Sequence, residues 1–357
     1  MSKFHPLSVS HVAHETRDTI VVTFAVPPQL AREFQFTQGQ HLTLRARVNG
    51  ADLRRSYSIC SAVHDGTLKV AIKRVPGGQF SSWAYDTLKP GATLDVMPPM
   101  GHFNLPLAPE NRKHYLAFAA GSGITPIMSI LKTTLRAEPL SRFTLVYGNR
   151  ASSTVIFREA LSELKDQYLQ RLNLVYVMSR EQQDIELFNG RITHEKCAQL
   201  LRGWIRVADV DAAFVCGPED MMQGVSAALQ EAGLPKASIK IELFAASIPK
   251  HEHKRRAATP GAARGTEVTV IMDGNHSTFS MEQDKESVLD AGLRHGIDMR
   301  YSCKGGVCST CRCKVVEGKV DMDVNYALED YEIAAGFVLS CQSFPASASL
   351  VLDFDQA

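Results

Sequence analysis

Four cysteines crowd into eleven residues, Cys303, Cys308, Cys311 and Cys313, and Cys341 follows at a distance. The chain holds 8 cysteines in all, and its start, Met1-Ser2-Lys3-Phe4-His5, lacks a signal-peptide core, so a disulfide scaffold is not expected. The spacing Cys303-x4-Cys308-x2-Cys311, closed by Cys341, is the one that holds two irons bridged by two sulfides. Such a centre needs four thiolates, three from one short loop and a fourth from a distant strand. It carries a formal charge of about −2 when oxidised and about −3 when reduced, and so calls for nearby N–H donors. Gly305 and Gly306 let the backbone curl toward it, and Ser302, Ser309 and Thr310 leave room. Cys313 falls inside an expected strand, Arg312–Val316, and is expected to point away as a buried thiol. Structural zinc is the competing use, but zinc ribbons favour two separated C-x2-C pairs.

At 357 residues the chain has room for two or three domains, and 45% hydrophobic with 22% charged residues is ordinary for a water-soluble fold. Residues 6–104 alternate apolar and polar positions, as in Thr19–Phe24 and Leu42–Leu44, between turn signals at Val48-Asn49-Gly50 and His64-Asp65-Gly66. This predicts an antiparallel β-barrel over residues 1–108, with one helix after Gly78. From 114 onward, strands at Tyr115–Ala119, Phe143–Tyr147, Leu172–Met178, Ala212–Cys216 and Ile239–Leu243 alternate with amphipathic stretches near 126–136, 155–167, 194–201 and 219–232. That alternation predicts an α/β domain with a parallel sheet over 109–245. Residues 246–265 read as a linker, and residues 266–357 as a compact α+β module opening on the strand Glu267–Ile271. This last module carries 7 Lys/Arg against 15 Asp/Glu, whereas the whole chain nets +1. An acidic module tethered to a mildly basic body can be steered electrostatically. No apolar run reaches membrane-spanning length, so neither membrane nor nucleic acid is an expected partner, and a cytoplasmic location is the default.

Arg55-Ser56-Tyr57-Ser58 lies on a strand of the barrel, where a cation, an aromatic face and a small hydroxyl suit a flavin's pyrophosphate, ring and N5. Gly78-Gln79-Phe80-Ser81 opens the helix, and free amides there can hold phosphate. Ala71 and Lys73, on the strand before it, are counted with the cofactor-binding residues. Gly121-Ser122-Gly123-Ile124-Thr125-Pro126 sits at the first βα turn, where a dinucleotide pyrophosphate approaches a helix N-terminus, with Thr125 as the expected N-cap. Arg150, Ser179 and Arg180 follow two strand ends at which neither end carries an acidic residue, which favours NADPH over NADH. Cys216-Gly217-Pro218 ends another strand at the ligand edge of the sheet, where Cys216 either faces the nicotinamide or fills the core.

Together these segments make the chain resemble the ferredoxin–NADP⁺ reductase superfamily fused to a plant-type [2Fe–2S] ferredoxin of β-grasp fold, and the resemblance spans essentially the whole chain. It implies FAD on the first two motifs, NADPH on the third, and a nicotinamide beside Cys216 and Gly217, with Glu242 and Phe244 of an E-x-F segment near the flavin. Ser58, Cys216 and Glu242 are the residues it places at the chemistry. Gly39–Leu44, Leu53–Cys60 and Tyr147–Arg150 are similar to the branch of reductases serving phenylacetyl-CoA epoxidase. That branch implies a di-iron oxygenase as electron acceptor, in phenylacetate catabolism. The competing readings are an FMN- or FAD-dependent reductase of another ring-hydroxylating oxygenase, and a redox-sensing module without turnover.

Overall fold

The computed structural model describes residues 4–244 and 265–356, so most of the expected linker over 246–265 lies outside the described residues. Contacts divide the chain into two units, one formed chiefly by residues 5–247 and one chiefly by residues 248–357.

The first unit opens with β1 (His5–Thr16), β2 (Thr19–Ala25), β3 (His41–Val48), β4 (Ala51–Ser58) and β5 (Leu68–Lys73), then α1 (Gln79–Thr87) and β6 (Thr93–Val96). The six strands lie in the order β4-β3-β6-β1-β2-β5. Just past β4, an antiparallel bridge from Ile59 to Val70 of β5 joins the two ends of the sheet, which rolls it into the expected barrel. Leu7, Ile20, Val22, Leu42, Leu44 and Ile72 point inward at alternate positions and are wholly buried. The hairpin at Asn49-Gly50 turns with both residues at positive φ, 51° and 82°, as a two-residue connection between right-twisted strands requires.

A parallel sheet follows, built from β7 (His114–Ala120), α2 (Ile124–Ala137), β8 (Arg142–Asn149), α3 (Arg158–Gln167), β9 (Leu172–Met178), α4 (His194–Gly203), β10 (Ala212–Gly217), α5 (Glu219–Glu231) and β11 (Ile239–Leu243). Its order is β11-β10-β7-β8-β9, so the chain reverses direction across the sheet between β7 and β10. Ligands of open α/β sheets bind at such a reversal. Two expectations are corrected here. Helix α2 begins at Ile124 behind a 3-10 turn over Gly121–Gly123, so Gly123 is the N-cap, and Thr125 lies inside the helix with its hydroxyl donating to the Ser122 carbonyl at 3.0 Å. The stretch from 155 becomes helical only at Arg158, because Phe157 adopts φ 63°.

The barrel and the parallel sheet share one apolar core, in which Cys60, Ala71 and Phe103 meet Tyr115, Ile127, Tyr147, Phe157, Phe214 and Cys216. Glu138, at the end of α2, is wholly buried yet fully bonded. Its carboxylate accepts from the Ala108 amide at 3.1 Å, Asn111 Nδ2 at 2.5 Å, the Tyr115 hydroxyl at 3.0 Å and Ser141 Oγ at 2.7 Å. Burial and this bond to Glu138 push the Tyr115 hydroxyl well above the ordinary tyrosine range. Replacing Glu138 with alanine strands several buried donors, each worth about 1–3 kcal/mol. Glu138→Ala is therefore expected to cost about 3 kcal/mol or more, read as a lowered urea midpoint.

The second unit contains β12 (Gly265–Met272), β13 (Asn275–Glu282), α6 (Val288–Arg294), β14 (Arg312–Glu317), β15 (Val320–Met322), α7 (Asp330–Ala334), β16 (Phe337–Leu339), β17 (Ser343–Pro345) and β18 (Ser349–Asp353). The order β13-β12-β18-β14-β16, with β12 and β18 parallel at the centre, is the expected β-grasp. Ser287 caps α6 by accepting from the Asp290 amide at 3.2 Å, and Val288, Leu289 and Ala291 bury that helix against the sheet.

Candidate electron-transfer sites

In the β-grasp unit the loop over 303–311 is shaped by backbone in the left-handed region at Lys304 (φ 54°), Gly306 (φ 75°) and Ser309 (φ 49°). A β-carbon on Gly306 would stand 3.0 Å from the Val324 carbonyl oxygen and 3.2 Å from Gln342 Cγ, so the close approach as well as the φ requires glycine there. The curl turns amides onto sulfur. The Gly305 N–H donates to Cys303 Sγ at 3.3 Å and the Cys303 N–H to Cys308 Sγ at 3.5 Å. Hydrogen bonds from Cys308 and Cys341 draw the Cys303 thiol well below its ordinary range, and the same contacts push Cys308 and Cys341 up. Cys341, which enters from beyond β16, also bonds Cys311, and Cys308 neighbours both Cys303 and Cys311, so each of the four sulfurs has two of the others beside it. A donor set of four thiols with amides aimed at sulfur fits a [2Fe–2S] cluster. Cys313 takes no part. It is wholly buried in the core of this unit, its sulfur facing the Val338 carbonyl at 3.9 Å.

In the barrel, β4 and α1 bring the first two motifs together. The Tyr57 ring lies 5.8 Å from that of Phe80, which in turn meets Trp83 edge-on at 5.5 Å. Arg55 is exposed on β4, with its guanidinium donating to the Arg54 carbonyl at 2.7 Å. Gly78 is the N-cap of α1, and the Ser81 hydroxyl is engaged locally, accepting from the Val75 amide at 3.1 Å and donating to the Gly78 carbonyl. Gln79 opens the helix, so its amide and those of Phe80 and Ser81 are the donors free of intrahelical acceptors. Ala71 belongs to the shared core rather than to an open surface. Lys73 reaches the other way. Its ammonium, 3.8 Å from Asp18, stands 3.9 Å from where a Gly121 side chain would begin.

The reversal point of the parallel sheet is tight. A β-carbon on Gly123 would fall 2.1 Å from the Cys216 carbonyl oxygen, so only glycine lets the two turns approach. The Gly121 carbonyl accepts from the Tyr147 hydroxyl at 2.9 Å, and Ser122 remains half-buried at the turn. Cys216 is wholly enclosed, with Gly217 paired to Leu243 and Cys216 itself to Glu242 along β10 and β11. Burial, and secondarily the Glu242 charge, holds the Cys216 thiol well above its ordinary range. Phe244 packs half-buried against the shared core.

One polar contact between barrel and sheet is Ser58 Oγ donating to Glu242 Oε2 at 3.0 Å, across 184 positions of sequence. Part of Glu242 reaches the surface, yet its carboxyl is crowded enough that burial pushes its pKa from 4.5 to about 8, opposed by the Ser58 bond. Between these two values the folded chain holds a proton that the unfolded chain releases, so this group's contribution to stability falls as pH rises through about 4.5 to about 8. Glu242→Gln is expected to flatten that part of the profile, seen as a melting temperature that varies less than wild type between the two pH limits.

Two acidic residues that sequence reasoning passed over also sit here. Glu15 of β1 accepts the Phe157 amide at 2.7 Å, holding that residue in its left-handed turn at the head of α3. Glu181, directly after Arg180, accepts the Ser152 amide at 2.7 Å and the Ser152 hydroxyl. Ser179 and Arg180 continue the ladder past the strands, donating to the Asn149 and Arg150 carbonyls at 2.9 and 2.8 Å, which sets exposed Arg150 and Arg180 on neighbouring strand ends. An acid within three residues of a strand end was the available signal for Glu181; nothing local marks Glu15.

Comparison with known proteins agrees with this division. Models of an oxidoreductase FAD-binding domain, an oxidoreductase NAD-binding domain and a 2Fe-2S iron-sulfur cluster binding domain match residues 6–105, 118–227 and 270–346. The chain is 47% identical over 355 residues to a component of the 1,2-phenylacetyl-CoA epoxidase of Escherichia coli (strain K12), covering 99% of each chain. It is 36% identical to the ferredoxin reductase component of 3-ketosteroid-9-alpha-monooxygenase from Rhodococcus rhodochrous, covering 98% of this chain and 96% of that one. Among solved structures, phthalate dioxygenase reductase superposes with a TM-score of 0.58 at 22% identity over 98% of both chains. An intact type IV self-sufficient cytochrome P450 monooxygenase gives 0.71 at 23% identity, and the chain spans 41% of that longer protein. Among the described residues no helix is long and apolar enough to cross a membrane. A barrel, a parallel sheet and a four-cysteine β-grasp module, matched end to end by such relatives, place the chain in the ferredoxin–NADP⁺ reductase-type family of electron-transfer oxidoreductases that carry a [2Fe–2S] domain.

Proposed function

We propose that this reductase takes hydride from NADPH and supplies single electrons to a di-iron oxygenase, namely the one that epoxidises phenylacetyl-CoA. The Ser58–Glu242 hydrogen bond carries the reading, because it ties the flavin-side strand β4 to the strand end beside the nicotinamide turn. A bound flavin exchanges two electrons with a nicotinamide and one with an iron–sulfur centre, which is why it stands between them.

The chain's own residues bind and orient. Arg55 and the free amides at the start of α1 would hold the FAD pyrophosphate, with Tyr57 against the ring. Ser58 would present its hydroxyl at the reacting edge, aligned by Glu242, whose mostly neutral carboxyl below about pH 8 avoids placing a negative charge beside incoming hydride. Cys216, the register partner of Glu242 on the neighbouring strand, is itself wholly enclosed. The Gly121-Ser122-Gly123 turn and Lys73 would receive the NADPH pyrophosphate, and Arg150, Ser179 and Arg180 its 2′-phosphate. Cys303, Cys308, Cys311 and Cys341 would hold the cluster.

The 47% relative supports phenylacetyl-CoA epoxidase as the system served, and the 36% relative favours a second reading, the reductase of another oxygenase. Reconstitution decides between them. The purified chain combined with the oxygenase part of phenylacetyl-CoA epoxidase should support NADPH-dependent consumption of phenylacetyl-CoA. Reduction of cytochrome c without that turnover would leave the second reading standing.

A further inference from the structure

Tyr147, near the end of β8, places a hydroxyl inside an apolar core. Its ring is buried with Phe143 and Leu145 of the same strand and with Ile124 and Ile127 of α2. A phenylalanine would fill that space with no polar atom to satisfy. The hydroxyl donates to the Gly121 carbonyl at 2.9 Å, and burial holds it well above the ordinary tyrosine range, so it remains a donor. Gly121 stands at φ 54°, a region open to glycine, and the Ala120 cap ahead of it makes no side-chain bond. The peptide that follows Gly121 is trans, so its carbonyl and its N–H point in opposite directions. With the carbonyl drawn onto Tyr147, the N–H of half-buried Ser122 is turned out of the core. A flipped peptide would present the carbonyl oxygen to a bound phosphate, where an N–H is needed.

We propose that Tyr147 is a positioning residue for the pyridine nucleotide: by holding the Gly121 carbonyl inward, its hydroxyl keeps the Ser122 N–H aimed at the dinucleotide pyrophosphate. The inference rests on the reading above that puts the pyrophosphate at this turn, and it adds the side chain that sets the turn's first peptide. It does not depend on a 2′-phosphate, because NADH and NADPH carry the same pyrophosphate. Tyr147 acts through the turn, from within the core.

The test uses the full-length protein loaded with flavin and cluster, in wild-type, Tyr147→Phe, Tyr115→Phe and Lys73→Met forms. Ferricyanide reduction gives kcat and KM with NADPH and with NADH, and thermal melting gives stability. Calorimetry gives the affinity for the oxidised form of whichever nucleotide the wild type prefers. Tyr147→Phe removes one hydrogen bond and leaves the Gly121 carbonyl its bond from the Ile124 amide, so the fold is kept. KM should rise about three- to tenfold, by the same factor for both nucleotides, which is the scale of one neutral hydrogen bond. The calorimetric affinity should fall in step while kcat stays within about twofold, the pattern of lost binding rather than lost chemistry. Tyr115→Phe is the control for stability. It removes another buried hydroxyl, the one bound to Glu138, and should melt lower with an unchanged KM. A KM rise below about threefold in Tyr147→Phe, or an equal rise in Tyr115→Phe, overturns the proposal. Lys73→Met reads the parent placement separately. Wild-type nucleotide affinity in that variant removes the pyrophosphate from this turn, and the proposal falls with it. Weakened binding in Lys73→Met beside an inert Tyr147→Phe removes the role of Tyr147 alone.

Discussion

Cys308→Ala is expected to lower NADPH-driven cytochrome c reduction by about two orders of magnitude or more, with acid-labile sulfide nearly absent from the purified protein. The sulfur of Cys308 is buried, receives the Cys303 amide at 3.5 Å and neighbours the Cys303 sulfur. Three thiolates cannot complete two tetrahedral irons, and alanine offers no replacement donor at this position. Ferricyanide reduction should survive, because it needs only the barrel and the parallel sheet. The informative control is Cys313→Ala. Its sulfur faces the Val338 carbonyl inside the β-grasp core, so the variant should lose some stability and keep its sulfide. Wild-type sulfide content in Cys308→Ala, or loss of sulfide in Cys313→Ala, would contradict the ligand set.

The second large effect is expected at the junction of barrel and sheet. Ser58→Ala removes the hydroxyl that donates to Glu242 at 3.0 Å and is expected to slow flavin reduction by NADPH about 10- to 100-fold, a common scale for loss of one positioned donor. Sulfide content should not change. Because the Ser58 bond lowers the Glu242 pKa against the effect of burial, the same variant should move the alkaline limb of the reduction rate upward from about 8. Glu242→Gln should remove that limb altogether while keeping a hydrogen-bond acceptor for Ser58. Stopped-flow bleaching of the flavin band across pH tests both statements. A rate equal to wild type in Ser58→Ala would exclude this hydroxyl from the chemistry, and an unmoved limb in Glu242→Gln would show that another group sets it.

Much of this could be read from residue order because the signals are local. Three cysteines five and three positions apart can meet in one loop whatever surrounds them, and the glycines between them announce the curl. Alternation of β-branched runs with 3.6-residue periodicity is likewise a property of each segment, and the five strands of the parallel sheet emerge where it predicts. Local signals misled only where a turn depends on its neighbours. Thr125 and Pro126 look like a helix start, but the 3-10 turn over Gly121–Gly123 moves that start back to Ile124. Residues 155–157 carry the period of α3, yet Glu15, from the first strand of the barrel, holds the Phe157 amide and the helix waits for Arg158.

Residue order alone therefore determined the three-module plan, the sulfur ligands offered to a cluster, and the glycine turn where a dinucleotide can approach. Only the folded chain decided that Ser58 meets Glu242, that Cys216 is wholly enclosed, and that Glu181 accepts from Ser152. The physical reason is range. Spacing and periodicity act over a few residues of backbone, whereas a hydrogen bond across 184 positions exists only once a shared core has brought the barrel and the parallel sheet together.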